Sequence, residues 1–146
     1  MHLDESRVHD IFSGMQNKFI AVIGDVMLDR YIWGKVSRIS PEAPVPVVDV
    51  VEESNHLGGA SNVALNIKTL GALPVLFGVV GQDPNAAELR RIFQGTNILT
   101  DFLVEDTHRP TTVKTRVIAG SQHVVRIDYE DRQQIHADTS WRLLDK

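Results

Sequence analysis

Cysteine is absent from this sequence of 146 residues, which excludes disulfide bonds and thiolate metal sites. An excess of positive charge is also lacking, because 15 basic and 19 acidic residues give a net charge of −4 without a long basic run. This balance gives no indication of nucleic-acid binding. No apolar run is long enough to span a bilayer, and the polar N-terminus lacks the apolar core of a secretory signal. We therefore expect one cytoplasmic globular domain without nucleic-acid or membrane partners.

Residues that hold metals or act as nucleophiles in many enzymes show no characteristic spacing here. The six histidines form no His-x-x-x-His or similar pair. No Ser-His-Asp set can be identified either. The sequence therefore predicts no metal site.

Short apolar runs alternate with helical patterns along most of the chain. Strands are predicted at 18–25, 73–81 and 101–106, and helices at 6–16, 60–70 and 82–95. The first strand has the apolar, β-branched composition of a strand buried on both faces. The second helix is expected to bury the face that carries Ala60, Val63, Ala64, Ile67 and Leu70. Alternating strands and helices predict a three-layer α/β sheet.

Two segments do not fit that sheet. Residues 31–53 have β-branched character but contain three prolines, which cannot occupy a central strand. Residues 111–130 alternate around a glycine-containing turn and predict a β-hairpin. We predict that both segments form a small, separate β layer.

The stretch "GGASNVALNIKTLG" (58–71) joins a glycine pair to a helix. It lacks the Lys-Ser/Thr pair of a phosphate loop, and its adjacent glycines do not fit the dinucleotide-binding pattern. Two interpretations stay open. The glycines could permit close packing of the helix start, or Gly59 could let a polyol lie against the helix N-terminus. In the second case Asn62 would offer donors and an acceptor to hydroxyl groups.

Charged side chains occur at positions where ligands bind in α/β proteins. Asp25 and Asp29 follow the first strand, and ligands lie beyond the carboxyl ends of such strands. Asp25 follows a glycine, as is common in turns, which slightly favours a turn role for it. The position of Asp29 is equally consistent with a ligand contact and with a solvated carboxylate. In the hairpin, Lys114 and Arg116 share one face. These cations are either solvated or a cradle for an anionic group, which Arg109 could join.

Several motifs together resemble one family. The segments "IAVIGDVMLDRY", "GGASNVALNIKTLGA", "GVVGQD" and "RPTTVKTR" resemble the N-terminal half of the ribokinase-like (PfkB) carbohydrate kinases, over about residues 18–146. The stretch "SRISPEAPVPVV" is most similar to the heptose 7-phosphate kinase domain of bifunctional ADP-heptose synthases. The resemblance implies an α/β fold with a three-layer ribokinase-like sheet. It also implies a small β lid, or clasp, formed by about 30–51 and 111–128.

The resemblance also implies a set of substrate-binding residues. They are Asp29, Gly58, Gly59, Asn62, Lys114, Arg126 and Arg109. The carboxylate would bind sugar hydroxyls, and the glycine pair with its asparagine would line the sugar pocket. The three cations would hold a phosphate already present on the substrate. The lid is expected to pair two copies of the chain as a homodimer.

One family motif has no match here. The resemblance implies a G-x-G-D motif near the C-terminus, with its aspartate as general base, and this sequence contains none. A final segment, "HADTSWRLLDK", predicts a helix that has just begun, with Asp138 or Thr139 as its cap. We therefore expect residues 1–146 to be the N-terminal portion of a carbohydrate kinase domain, with no catalytic residue of its own and with the catalytic C-terminal portion absent.

The implied activity belongs to a full-length parent protein. That parent would use ATP and Mg²⁺ to phosphorylate D-glycero-D-manno-heptose 7-phosphate at its anomeric hydroxyl, in the synthesis of a lipopolysaccharide core precursor. The 146 residues alone are expected to bind neither cofactor and to be inactive. Two alternatives stay open. The acceptor could be another sugar such as fructose 6-phosphate, or a nucleoside, and the chain could be a non-catalytic dimerisation or binding module.

Overall fold

The computed structural model describes residues 4–146, which form four helices and seven strands in two sheets. The elements are α1 (Glu5–Met15), β1 (Phe19–Ile23), β2 (Val26–Ile39), β3 (Pro46–Gly59), α2 (Ala60–Thr69), β4 (Leu73–Gly81), α3 (Pro84–Gln94), β5 (Leu103–Asp106), β6 (Thr112–Ala119), β7 (Gln122–Tyr129) and α4 (Ala137–Leu144). The predicted α/β class is confirmed. None of the helices within these described residues is long and apolar enough to cross a membrane.

The first sheet is parallel and has the strand order β1-β4-β5. Its central strand, β4, is the most buried, and Leu76 on it is fully buried. The prediction that β1 is buried on both faces is wrong. Phe19 and Ile23 are 71% and 73% exposed, and only Val22 of this strand is buried. The reason is that β1 is an edge strand, so fewer neighbours cover it than its apolar composition indicates.

Helix α2 packs on β4 and on the end of β3. Its buried residues are Ala60, Ser61 and Ala64. The predicted buried face is wrong in part, because Val63 is 48% exposed and Leu70 is 41% exposed. The small residues of α2 are thus the buried ones, while Leu65 and Ile67 are partly buried and pack against the core. Gly71 ends the helix with a φ of +93°, which is the left-handed conformation expected there.

The second sheet has the order β3-β2-β6-β7 and contains both segments that did not fit the first sheet. The prediction of a separate β layer is confirmed. Strands β2 and β3 pair antiparallel over most of their 14 residues, β2 pairs parallel with β6, and β6 pairs antiparallel with β7. Pairing of β2 with β3 shifts register at Trp33/Gly34 and again at Val36/Arg38. Pro46 begins β3, a position that needs no ladder donor.

Asp83 joins the two sheets at one point. One carboxylate oxygen accepts the Ala86 amide at 2.9 Å and so caps α3, and the other accepts the Thr111 amide at 2.7 Å. The Thr111 hydroxyl in turn accepts the Gly81 amide at 2.9 Å. Burial by itself would raise the pKa of Asp83, but the amide donors of Thr111 and Ala86 lower it below its ordinary value. The end of β4 and the start of β6 are therefore held together by one carboxylate.

Helix α4 is attached to β5 by a buried polar contact. Thr139 is 1% exposed and donates its hydroxyl to Asp106 at 3.0 Å. The prediction that Asp138 or Thr139 caps this helix is wrong, because the N-cap residue is His136 and it makes no side-chain cap. The threonine hydroxyl instead serves the buried carboxylate, which would otherwise lack this donor.

Candidate functional site

An open cleft of about 290 Å³ lies where β2, β3 and α2 meet. We call it the Asp29 cleft, and its lining residues are Asp29, Tyr31, Trp33, His56, Leu57 and Asn62. Two residues predicted from the sequence as sugar ligands, Asp29 and Asn62, thus lie in one cavity. They come from different elements, a strand and the first turn of a helix.

The lining follows from the pairing of β2 with β3. Alternation along β2 puts Asp29, Tyr31 and Trp33 on one face, and His56 is the register partner of Asp29. The Tyr31 and Trp33 rings stack with centroids 6.1 Å apart, and the His56 ring meets Tyr31 edge-on at 5.4 Å. One wall of the cleft is therefore aromatic, while a carboxylate and an amide lie nearby. Such a combination can contact both the C–H faces and the hydroxyl groups of a sugar.

The glycine pair, Gly58 and Gly59, packs against Asp29 of this cleft and against the nearby Asp25. A Cβ atom added at Gly58 would lie 2.7 Å from a carboxylate oxygen of Asp29. Gly59 has a φ of +55°, and a Cβ atom there would collide with the Asp25 carbonyl oxygen, which accepts the Ala60 amide at 2.9 Å. Neither glycine is among the residues that line the cleft. Both glycines therefore permit close packing at the helix start.

Arg116 on β6 is the cation nearest to Asp29. Its Nη1 atom donates to Asp29 Oδ1 at 2.6 Å, and its guanidinium carbon lies 5.3 Å from the centre of the Tyr31 ring. The hydrogen bond to Asp29 raises the pKa of Arg116 above its ordinary value. The sequence placed Arg116 on a cationic face that was either solvated or a cradle for an anionic group, and Arg116 was not among the substrate-binding residues that the resemblance implied. The missing information was the parallel pairing of β6 with β2, which puts Arg116 beside Tyr31.

Lys114 and Arg126 were predicted to hold a phosphate, and each contacts carboxylates on β7 or just after it. The Lys114 ammonium lies 3.0 Å from Glu130 and 3.5 Å from Asp128. Arg126 donates from Nε and Nη2 to the two oxygens of Asp128, at 2.9 and 3.0 Å. These partners have lowered pKa values, mainly because Arg126 donates to Asp128 and Lys114 donates to Glu130.

A second cleft, of about 520 Å³, lies at the carboxyl ends of β1 and β4. We call it the Arg109 cleft; Arg109, Lys114 and Asp25 are among its lining residues. Arg109 donates from Nη2 to the Gln133 carbonyl oxygen at 2.6 Å. Arg126 lines neither cleft, and its side chain is 59% exposed. The predicted site residues therefore divide between two cavities, with Asp29 and Asn62 in one and the cations Lys114 and Arg109 in the other.

The described residues contain no cluster of metal-binding side chains. Within residues 4–146, no group of three or more His, Asp or Glu side chains is placed to hold a metal ion. The carboxylates near the clefts are instead paired with cations, as in the contacts of Asp29, Asp128 and Glu130.

Similarity to known proteins is strong over nearly the whole chain. The family described as pfkB family carbohydrate kinase matches residues 17–145. The chain is 46% identical over 143 residues to the bifunctional protein HldE of Pelobacter propionicus, which covers 98% of this chain and 29% of that protein. The chain thus spans less than a third of the length of this curated relative.

Solved structures show the same fold. A carbohydrate kinase from Agrobacterium tumefaciens superposes with a TM-score of 0.62 at 19% identity, covering 76% of this chain and 35% of that one. A sugar kinase from Pyrococcus horikoshii, solved in complex with ATP, superposes with a TM-score of 0.54 at 26% identity, covering 76% and 34%. The predicted ribokinase-like fold is confirmed, and the match over residues 17–145 shows that the chain belongs to the pfkB family of carbohydrate kinases.

Proposed function

We propose that this chain is the sugar-phosphate-binding part of an ATP-dependent sugar kinase. The proposed substrate is D-glycero-D-manno-heptose 7-phosphate, phosphorylated at its anomeric hydroxyl in the synthesis of a lipopolysaccharide core precursor. The Asp29 cleft is the observation that carries the proposal, because it combines a carboxylate, an amide and aromatic faces in one cavity. The 46% identity to the bifunctional protein HldE supports the choice of a heptose.

Each group in the site has a role in this proposal. Asp29 accepts sugar hydroxyls, and Asn62 supplies a donor and an acceptor to neighbouring hydroxyls. The phosphate already on the sugar is held by cations of the second sheet and the adjoining loop, with Lys114, Arg109 and Arg126 as the residues predicted from the sequence. Their present carboxylate partners are displaced or shared when the phosphate binds.

Phosphoryl transfer itself depends on positioning and charge stabilisation at the transferred group. The glycine pair packs closely against Asp29 and Asp25, and the sequence contains no G-x-G-D motif. We therefore assign the ATP pocket, the Mg²⁺ ion and the general base to polypeptide outside residues 1–146. When bound, MgATP supplies the phosphoryl group. The residues of this chain bind and orient the acceptor.

Calorimetric titration tests the substrate assignment. Heptose 7-phosphate is expected to bind more tightly than the same heptose without phosphate and more tightly than fructose 6-phosphate. Asp29→Asn should weaken all three ligands, whereas Asp49→Asn, which changes a carboxylate bonded to Ser37 at the outer end of the second sheet, should weaken none. Equal binding of the three ligands would contradict the heptose assignment. Tighter binding of fructose 6-phosphate would favour that acceptor instead.

The assignment of catalysis to other polypeptide has its own test. The isolated chain, mixed with MgATP and heptose 7-phosphate, should give no phosphorylated product above the background without protein. Product that depends on both the chain and ATP would refute this part of the proposal.

We also propose that the second sheet pairs two copies of the chain. Its outer strands are β3 and β7, and apolar side chains on or beside them are exposed, among them Val50 at 60%, Val51 at 70% and Ile127 at 54%. A second copy presents the same unpaired edges, so the contact can be self-complementary. Sedimentation equilibrium should give a dimer that Val51→Lys weakens. A strict monomer at every concentration would refute the pairing and the alternative role as a dimerisation module.

A further inference from the structure

Arg116 differs from the neighbouring cations in how little of its bonding capacity is used. Among the described residues, its side chain makes one hydrogen bond, from Nη1 to Asp29 Oδ1. A guanidinium has several other N–H donors, arranged in a planar fork that matches a phosphate. The side chain is 22% exposed. The other donors of Arg116 thus have no protein partner among the described residues, and they lie beside Asp29 and Tyr31, which both line the Asp29 cleft.

Lys114 and Arg126 offer less to an incoming anion. Lys114 lies within 3.5 Å of two carboxylates, and Arg126 has both ends of its fork on Asp128. A phosphate that approaches these cations must compete with carboxylates and is repelled by them. Lys114 and Arg116 nevertheless project from the same face of β6, about 7 Å apart. A phosphate near Arg116 therefore also experiences the charge of Lys114.

The contact with Arg116 also affects what Asp29 can accept. Oδ1 is engaged by Arg116, while Oδ2 lies toward Gly58, where an added Cβ atom would be 2.7 Å away. A sugar hydroxyl that needs Oδ1 must compete with the guanidinium. Breaking this half-buried pair without replacing either partner is costly, because it leaves a charge unpaired. A ligand phosphate can replace the carboxylate as the partner of Arg116, and a hydroxyl of the same ligand can donate to the freed Asp29, so that both charges keep a partner.

The Tyr31 ring can keep the Arg116 guanidinium oriented while it exchanges one anionic partner for another. It lies under the guanidinium, with 5.3 Å between the guanidinium carbon and the ring centre, and it also lines the Asp29 cleft. Stacking on an aromatic face keeps a guanidinium oriented while its in-plane hydrogen bonds change partner.

We propose that Arg116 is the residue by which this site selects a phosphorylated sugar: the substrate phosphate takes Arg116 from Asp29, and the freed Asp29 Oδ1 accepts a sugar hydroxyl. The inference rests on the proposed function and adds a residue that determines specificity. Phosphate recognition and hydroxyl recognition are then coupled, because one ligand group releases the acceptor that another ligand group needs. A sugar without phosphate meets an Asp29 whose Oδ1 is already engaged by Arg116.

Three variants separate this exchange from a simple loss of charge. We would measure binding of heptose 7-phosphate and of unphosphorylated heptose by calorimetry, in the full chain. Arg116→Ala should reduce the preference for the phosphorylated sugar by about tenfold to a hundredfold, the usual range for a hydrogen bond to a charged group. It should also bind the unphosphorylated sugar more tightly than the unaltered chain, since Asp29 is free. Arg116→Lys should lie between, because it keeps the charge and loses the fork.

Lys114→Ala and Arg91→Ala are the matched comparisons. Lys114→Ala should weaken the phosphorylated sugar without strengthening the unphosphorylated one, because it does not release Asp29. Arg91 is ion-paired with Glu88 on α3 and lines neither cleft, so its loss should change neither affinity.

The outcomes distinguish the inference from the proposed function on which it rests. If the unaltered chain prefers the phosphorylated sugar and Arg116→Ala keeps that preference, the role of Arg116 is refuted while the proposed function stands. A parallel loss of affinity for both sugars would mean that Arg116 is only a structural partner of Asp29, which also refutes the exchange. If the unaltered chain binds neither sugar, both the inference and the proposed function fail.

Discussion

Replacement of Gly58 by alanine should damage ligand binding far more than it damages folding. A Cβ atom at this position would lie 2.7 Å from Asp29 Oδ2, 2.8 Å from Asp29 Cγ and 2.8 Å from Met27 Cγ. Gly58 has no positive φ, so its backbone accepts alanine without strain. Ordinary contact begins near 3.4 Å, so the carboxylate must move by about 0.7 Å (3.4 less 2.7). Both displaced groups are side chains that can shift, and we expect a loss of about 1 kcal/mol in the free energy of unfolding, at the lower end for overpacking.

The same shift moves Asp29 away from its position in the cleft, where the proposed function has it accept sugar hydroxyls. Loss of a charge-assisted hydrogen bond from a sugar hydroxyl to this carboxylate costs about 1.5–3 kcal/mol of binding free energy. Affinity for heptose 7-phosphate should therefore fall by about tenfold to a hundredfold. Calorimetry gives this affinity, and urea denaturation of the same samples gives the free energy of unfolding.

Two other glycines serve as comparisons for Gly58→Ala. Gly59→Ala places a side chain at a φ of +55° and against the fixed Asp25 carbonyl, so it should cost about 2–4 kcal/mol of stability from strain and overpacking together. Gly14→Ala lies in α1 with no atom within 4 Å of the added Cβ, so it should raise stability by about 0.5–1 kcal/mol and leave affinity unchanged. The reasoning is refuted if Gly58→Ala binds like the unaltered chain, or if it loses as much stability as Gly59→Ala.

Three further predictions concern charged groups and their partners. Asp83→Ala should lower the free energy of unfolding by about 1–2 kcal/mol, as measured in urea, because α3 loses its cap. The folded pKa of Asp83 is lowered, so its ionised carboxylate stabilises the fold at pH values above its unfolded pKa of about 3.9. This stabilisation is lost as the pH falls through the folded pKa. If Asp83→Ala showed the same dependence of stability on acid pH as the unaltered chain, this role of Asp83 would be contradicted. Arg91→Ala should raise the pKa of Glu88 from about 2 toward 4.5 in an NMR titration, because Arg91 is its main hydrogen-bond donor, and an unchanged value would exclude that cause. Thr139→Val should cost about 1–3 kcal/mol, because buried Asp106 loses a donor; a neutral effect would show that water replaces the hydroxyl.

Local features of the fold were predictable because their causes are local. Asp83 followed by proline predicted the start of α3, and both the cap and the proline lie there. Gly71 predicted the end of α2 in a left-handed conformation. The exposure of Phe19 and Ile23 was not predictable, because an apolar edge strand has the same composition as a central one.

The candidate site was predictable in part for the same reason. Asp29 and Asn62 follow recognisable local motifs, and they do share a cleft. The contact of Arg116 with Asp29 joins residues 87 positions apart across two parallel strands. No periodicity within β6 indicates which strand it pairs with, so the partners of a cationic face could not be assigned. The ion pairs of Lys114 with Asp128 and Glu130 could not be predicted from the sequence either, although the hairpin itself was predicted.

Strand β2 is anchored in the core at only one of its two ends. Its first residues, Val26 and Leu28, are buried in the core, whereas its far end, Ile39, is 60% exposed and about 45 Å away along an extended strand of 14 residues. The two register shifts lie beyond Trp33, where local weakening of the ladder allows bending. The buried half carries Asp29 and the cleft, so bending of the outer half would leave unchanged the spacing of the groups that we propose as sugar ligands.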